Sequence, residues 1–280
     1  MNDKTAEMLG IDNLWFIEPA FANLYDPVFN NMLCDYEADE GRLLLDEEQD
    51  PLALAFHGVD GWVAGTFLFR NPTATLIEKF EKYPGEILQE DRDLWEEAVR
   101  DHFSNRLMAE VPPGPEDLNP ARKKILVDLI GNIWGRGSGE TCLDCCCGSG
   151  VGSLSLRELG YTPLSFDNDE SLLVRGLSEK RLLPNETMWI DATVASRYIR
   201  PLPKGIAIMA GEINDFSQEM WERILNELFA ITHESIITVG TEKEADIVKG
   251  WGNAAGNQVE ITENTADPIY DRWVCVGKKG

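Results

Sequence analysis

The chain has 280 residues, of which 43% are hydrophobic, and a formal net charge of −24, a size that suits one large or two modest domains. A surface this acidic repels a phosphate backbone, so the composition disfavours DNA or RNA as a partner. No apolar run approaches the ~18 residues of a membrane-spanning helix, and the first residues lack a secretory signal, so we expect a cytoplasmic protein that does not enter a membrane.

The first 118 residues hold most of the negative charge, with a net of −18 out of −24. Apolar residues at helical spacing predict a helix over 94–103 and another over 75–83, whereas residues 62–69 fit either a strand or a helix. We therefore expect an acidic, mostly helical N-terminal domain over residues 1–118.

A proline-rich segment marks the boundary of this domain. Residues 110–117 contain three prolines and a glycine, which is typical of a linker. Asn119 and Pro120 then provide a helix cap and a first-turn proline, and apolar residues follow at helical spacing. A second domain is predicted over residues 119–280.

The most informative segment of the second domain is a glycine-rich turn. Residues 143–152 read Leu-Asp-Cys-Cys-Cys-Gly-Ser-Gly-Val-Gly, after an apolar strand and before an amphipathic helix at 154–159. Glycines permit positive φ and close approach of a ligand, and a helix N-terminus offers unpaired N–H groups. The pattern predicts a nucleotide-type site at the first strand-to-helix turn of an α/β sheet.

The glycine spacing selects among nucleotide-binding families. A dinucleotide fingerprint needs a third glycine at Ser153 or Ser155, and a Walker loop needs a lysine that this turn lacks. The pattern that fits is acid-x-small-x-Gly-x-Gly, formed by Asp144, Cys146, Gly148 and Gly150. This resembles motif I of the class I S-adenosylmethionine-dependent methyltransferases.

Three later strand ends extend the resemblance. Predicted strands over 162–166, 187–190 and 206–210 are each followed by an acid, Asp167, Asp191 or Glu212. The resemblance implies that S-adenosyl-L-methionine binds with Asp167 on the ribose, Asp191 and Ala192 beside the adenine, and Glu212 and Asn214 at the mouth facing the acceptor. The implied cofactor-binding residues are Asp144, Cys146, Gly148, Ser149, Gly150, Asp167, Asn168, Asp191, Ala192, Gly211 and Glu212.

The remaining strands indicate the fold class. A fifth strand is predicted over 235–239, and an antiparallel pair over 259–262 and 273–276 closes the sheet. An antiparallel last strand is a feature of the methyltransferase family. The resemblance therefore implies an α/β, Rossmann-like methyltransferase sheet that is mostly parallel.

The six cysteines do not have the spacing of a metal site. Four lie within residues 142–147, but side chains alternate between the faces of a strand, so four sulfurs cannot converge there. Separated C-x2-C pairs, which are typical of structural zinc sites, are missing. We expect no metal, and we expect packed free thiols in a reducing compartment.

The resemblance implies in-line methyl transfer, and the acidic charge favours a small molecule or a protein over nucleic acid as the acceptor. No catalytic residue is identified, because Phe216 stands where several small-molecule methyltransferases have histidine. An aminopropyl transferase-like enzyme and a non-catalytic S-adenosylmethionine-binding subunit stay open as alternatives. The N-terminal domain is expected to cap the substrate site or to form an interaction surface, and homo-oligomer formation stays open.

Overall fold

A computed structural model describes residues 3–280. The chain forms two compact units, the first ending at Arg106 and the second running from Leu107 to Gly280. Among the described residues, no helix is both long enough and apolar enough to cross a membrane.

The first unit combines short helices with a five-stranded sheet. Its helices are α1 (Lys4–Met8), α2 (Val28–Asp35), α3 (Ala74–Phe80) and α4 (Arg92–Glu110), the last of which extends four residues into the second unit. Its strands are β1 (Trp15–Phe16), β2 (Glu40–Leu45), β3 (Pro51–Gly58), β4 (Gly61–Thr66) and β5 (Gly85–Gln89). They lie in the order β1-β4-β3-β2-β5.

The prediction of a mostly helical N-terminal domain is wrong. Helices α3 and α4 lie where the apolar spacing predicted them, but residues 40–66 form a three-stranded antiparallel meander. The central strand β3 is buried over Leu52–Phe56, so it shows no alternation of apolar and polar residues. A buried strand rich in alanine and leucine cannot be told from a helix by its pattern, and strand pairing decided its structure.

A buried ion pair ties the segment after β1 to the end of β4. The Glu18 carboxylate accepts a hydrogen bond from Arg70 and another from the Thr66 N–H at 3.3 Å. Arg70 also donates to the Asn30 side chain at 2.9 Å and to the Leu24 carbonyl at 2.7 Å. Burial raises the pKa of Glu18 above its usual value, although Arg70 and these hydrogen bonds lower it.

The second unit alternates strands and helices. Its helices are α5 (Pro120–Trp134), α6 (Val151–Glu158), α7 (Glu170–Ser178), α8 (Gln218–Ile231) and α9 (Glu242–Ala254). Its strands are β6 (Thr141–Cys145), β7 (Thr162–Asp167), β8 (Thr187–Trp189), β9 (Leu202–Ala207), β10 (Thr232–Val239), β11 (Asn257–Glu263) and β12 (Trp273–Lys279).

The seven strands form one mixed sheet in the order β11-β12-β10-β9-β6-β7-β8. Strands β6 to β10 are parallel, and β12 pairs antiparallel with both β10 and β11. The antiparallel last strand expected from the resemblance is thereby confirmed. The chain order reverses between β6 and β9, which is where open α/β sheets bind ligands, at the carboxyl ends of the strands.

The predicted strands of this unit all occur, but some bounds differ, since β9 begins four residues and β10 three residues before the predicted start. Strand β9 ends at Ala207, three residues before the predicted end at 210. Met209 adopts a positive φ of 56°, which is not a β-strand conformation, and its N–H donates to the Thr238 hydroxyl at 2.7 Å. The turn that follows β9 therefore begins earlier than its apolar sequence suggests.

Candidate functional site

The glycine-rich turn joins the central strand β6 to helix α6. Three of its residues have left-handed backbone conformations, namely Cys146 (φ 55°), Gly148 (φ 52°) and Gly150 (φ 90°). Glycine adopts this conformation freely, whereas a residue with a side chain pays roughly 1–2 kcal/mol. The turn thus demands a glycine-like backbone at a position that cysteine occupies in this chain.

The three glycines of the turn serve different purposes. A Cβ atom on Gly148 would meet only the Leu172 side chain, at 3.9 Å, so this glycine borders open space. A Cβ on Gly150 would lie 2.8 Å from Leu182, and one on Gly152 would lie 2.6 Å from the Asp144 carboxylate. Only Gly148 leaves room for a ligand, while the other two glycines allow close packing.

Asp144 lies buried beneath the turn. Its carboxylate accepts a hydrogen bond from the Ser153 hydroxyl at 2.6 Å, and that hydroxyl lies 2.7 Å from the hydroxyl of Ser165. Burial raises the pKa of Asp144 to about 7, against hydrogen bonds from Ser153 that lower it. The geometry therefore supports a role for Asp144 in shaping the turn, not direct contact with a ligand.

Asp167 lies at the end of β7, directly beside the turn. One of its carboxylate oxygens accepts from the Gly148 N–H and the other from the Asp169 N–H, both at 2.8 Å. Burial raises the pKa of Asp167 above its usual value, while these backbone hydrogen bonds lower it. Each carboxylate oxygen has two lone pairs, so Asp167 can still accept hydrogen bonds from the two hydroxyls of a ribose.

The next strand end places Asp191 at the same edge. The Asp191 carboxylate accepts from the backbone N–H and the hydroxyl of Thr193, both at 2.8 Å. Ala192 is buried next to it, and Asn168 is exposed. The indole N–H of Trp189 donates to the Asn168 carbonyl at 3.1 Å, which connects the ends of β7 and β8.

Gly211 and Glu212 follow β9 on the other side of the glycine turn. The loop is bonded to β10 and α9, since the Ala210 N–H donates to the Thr238 carbonyl at 2.9 Å and the Ile213 N–H to Glu244 at 3.0 Å. The Glu212 side chain is exposed. The structure thus joins Gly148 directly to Asp167, and it places Glu212 at the same edge of the sheet without a contact between them.

Sequence reasoning missed a cluster behind the turn. Ser149 is buried, and its hydroxyl donates to Asp117. The guanidinium of Arg181 lies 3.1 Å from the Ser149 hydroxyl and 3.2 Å from Asp117, and it also binds both carboxylate oxygens of Glu116 at 2.5 Å. The segment 110–117, which resembles a linker in sequence, is therefore anchored to the glycine turn through Glu116 and Asp117.

No signal in the sequence identifies this cluster. Glu116 and Asp117 are two acids among the 49 of the chain, and Arg181 lies 64 residues from Asp117. Only the folded chain brings them together. Their position indicates that Ser149 supports the turn from its buried side.

The cysteine run departs from the strand geometry expected for it. The strand ends at Cys145, and the left-handed turn at Cys146 brings the two sulfur atoms to 3.9 Å, although strand alternation placed them on opposite faces. Contact with Cys146 and burial raise the pKa of Cys145 well above its usual value. Cys142 and Cys147 are buried with raised pKa values as well, so these thiols are protonated packing groups at neutral pH.

No protein-family model matches this chain, and no curated protein matches it significantly. Solved structures do match it. A magnesium protoporphyrin IX methyltransferase from Synechocystis with bound SAM is 15% identical, with a TM-score of 0.47, over 66% of this chain and 97% of the other.

Two further solved structures are similar over the same share of the chain. A TehB-like SAM-dependent methyltransferase from Corynebacterium glutamicum is 19% identical, with a TM-score of 0.44, over 66% of this chain and 98% of the other. A putative RNA methyltransferase from Pyrococcus horikoshii is 12% identical, with a TM-score of 0.43, over 65% and 96%. Likeness at these values says nothing about the acceptor, which must be inferred from the site. The second unit has a mixed sheet of seven strands with an antiparallel last strand, and these similar solved structures are named as methyltransferases.

Proposed function

We propose that this protein is an S-adenosylmethionine-dependent methyltransferase. The observation that carries the proposal is the pairing of Gly148 with Asp167. The open glycine follows β6, the strand at which the strand order reverses, and it lies beside the carboxylate that ends the neighbouring strand β7. A nucleoside ligand needs a backbone that it can approach and an acceptor for its ribose hydroxyls, and both are offered here.

Each residue at the edge has a part in this proposal. The backbone of residues 146–150 borders the methionine portion of the cofactor, and Asp167 accepts hydrogen bonds from the ribose. Asp191 and Ala192 lie beside the adenine, and Asn168 lies between these two groups. Gly211 and Glu212 face the acceptor. Asp144, Ser149 and Gly150 hold the turn in shape from its buried side.

Bound S-adenosylmethionine supplies a methyl group on a sulfonium sulfur, which keeps both electrons of the broken S–CH3 bond. The protein then has to hold the acceptor in line with that bond, an effect that can be worth as much as ~7–11 kcal/mol. Glu212 is exposed at the mouth and has no ion-pair partner among the residues that the structure describes. Its carboxylate is available to take a proton from the acceptor or to attract a cation.

Calorimetric titration of the full-length protein with S-adenosylmethionine, S-adenosylhomocysteine and NADH tests the proposal. We expect micromolar binding of the first two and no binding of NADH, because the third glycine of a dinucleotide turn is missing. Binding of NADH alone would replace the proposal with a dinucleotide enzyme. Failure of all three to bind would contradict a cofactor site at the glycine turn.

A further inference from the structure

The second unit exposes its large apolar side chains at one edge only. Among residues 107–280, all five exposed large hydrophobic residues lie in segments 209–220 and 269–270. We call this set the apolar rim; its members are Met209, Phe216, Met220, Ile269 and Tyr270. Phe216 is 100% exposed, Ile269 65% and Met209 43%.

The two segments of the apolar rim leave the sheet at the same edge as the glycine turn. The first segment follows β9, and the second lies between β11 and β12, where β11 runs parallel to β10. The Thr238 hydroxyl at the end of β10 joins them, since it accepts from the Met209 N–H at 2.7 Å and donates to Asp271 at 2.6 Å. The segments are thus held side by side.

The backbone beneath the apolar rim is firmly held. Met209 keeps a left-handed φ of 56° although it is not glycine, and two hydrogen bonds to Thr238, from its own N–H and from that of Ala210, maintain it. Directly after the other segment, Asp271 is fully buried and forms an ion pair with Arg122 at 2.7 Å. Apolar side chains that a firmly hydrogen-bonded backbone keeps exposed to water indicate a binding surface.

Charge decides which ligand suits the apolar rim. Residues 208–220 contain three carboxylates, Glu212, Asp215 and Glu219, and no basic residue. Within the described part of the chain, none of the three forms an ion pair. Two residues after the second segment, Arg272 forms an ion pair with Glu263 at 2.9 Å. The aromatic face of Phe216 adds an attraction for ammonium groups, whereas the ring of Tyr270 already has the Arg122 guanidinium over it, 5.6 Å from the ring centre.

We propose that the apolar rim binds a small-molecule acceptor with an aromatic or aliphatic body and a positively charged amino group. The apolar body contacts Met209, Phe216 and Ile269, and the amino group faces Glu212 and Asp215. This inference rests on the proposed function, because it assigns the acceptor side of the same edge. It concerns a different surface from the glycine turn, so the two can be tested separately.

The test measures binding by calorimetry to the full-length protein saturated with S-adenosylhomocysteine. The probes are tryptamine, 2-phenylethylamine and octylamine, each paired with its alcohol analogue, together with putrescine as a cation without an apolar body. We expect each amine to bind at least tenfold more tightly than its alcohol and than putrescine. Equal binding of amines and alcohols, or no binding of any amine, would overturn the proposal.

Variants locate the binding. Phe216→Ser should weaken amine binding at least fivefold and leave S-adenosylhomocysteine affinity unchanged. Glu212→Gln combined with Asp215→Asn should abolish the preference for the amine over the alcohol. Val59→Ser is the matched control, because Val59 is 98% exposed on the turn between β3 and β4 of the first unit. An equal effect of Val59→Ser would overturn the assignment.

The variant Phe216→Ser also distinguishes two other possible ligands of the apolar rim, a lipid surface and a second copy of the chain. Binding to phosphatidylcholine vesicles that Phe216→Ser abolishes would assign the rim to a lipid surface. A dimer in sedimentation that Phe216→Ser dissociates would assign it to a second copy of the chain. Either result overturns the acceptor proposal. If the unaltered protein does not bind S-adenosylhomocysteine at all, the proposed function itself is overturned.

Discussion

The guanidinium of Arg181 lies 3.1 Å from the hydroxyl oxygen of Ser149, the central residue of the glycine turn. The same guanidinium binds Glu116 and Asp117 and is itself almost fully buried. Arg181 therefore connects the turn, the loop after α7 and the segment before α5. A change at Arg181 should reach the cofactor through Ser149.

We expect Arg181→Met to lower the free energy of unfolding by about 1–3 kcal/mol, since the variant lacks the charge-assisted hydrogen bonds that Arg181 donates to Ser149 and to two carboxylates. The affinity for S-adenosylhomocysteine should fall as well. Urea denaturation and calorimetry measure the two effects. Arg272→Met is the control, because the pair of Arg272 with Glu263 is exposed and should be worth under about 1 kcal/mol. A variant at Arg181 that is as stable as this control would contradict the buttressing role.

Stability should depend on pH through Asp144. The pKa of Asp144 is about 7 in the folded protein and near its ordinary value of 3.8 in the unfolded chain. Between these values the folded state binds a proton that the unfolded state has lost, so stability falls as pH rises from about 4 to about 7 and is then level. The fall amounts to as much as about 4 kcal/mol for this group.

Asp144→Asn isolates this contribution. The amide imitates the protonated carboxyl, so the variant should lack the loss that Asp144 causes between pH 5 and pH 8. The measurement is the difference in unfolding free energy between the two proteins at each pH, in which the contributions of all other groups cancel. If the two proteins differ in unfolding free energy by the same amount at pH 5 and at pH 8, Asp144 does not titrate between these pH values.

Asp167→Asn should reduce affinity for S-adenosylhomocysteine, because an amide offers one oxygen where the carboxylate offers two. A loss of about 1–3 kcal/mol corresponds to roughly 5- to 150-fold weaker binding. Asp169→Asn is the control: Asp169 lies two residues away and caps α7, a role that asparagine fills equally well. If both variants bind like the unaltered protein, Asp167 does not contact the ribose.

The backbone at Cys146 predicts an unusual order of stabilities. Because φ is 55°, Cys146→Gly should be more stable than Cys146→Val by about 1–2 kcal/mol, the cost of a left-handed conformation for a residue with a side chain. At Cys34, inside helix α2, the order should reverse, since glycine is a poor helix former. Thermal unfolding of the four variants gives the comparison. The same order at both positions would contradict the left-handed turn.

Local patterns in the sequence were sufficient for most of the second unit. The amphipathic spacing of α5, the cap at Asn119 and the order of strands and glycine turn are all encoded within short segments. The spacing of apolar residues and the residue types of caps and turns depend only on neighbouring residues, so they can be recognised directly in the sequence. The acids at the ends of β7 and β8 could be placed at one edge for the same reason, because parallel strands end together.

Only the tertiary structure decided the rest. Whether Leu52–Phe56 forms a strand depended on the strands on either side of it, and whether Asp144 meets a ligand or lies buried depended on Gly152 and Ser153. The link from Arg181 to Ser149 and the gathering of Met209 with Ile269 at one edge both join residues far apart in the chain. Such contacts are set by packing and desolvation in the folded protein, and no local pattern in the sequence records them.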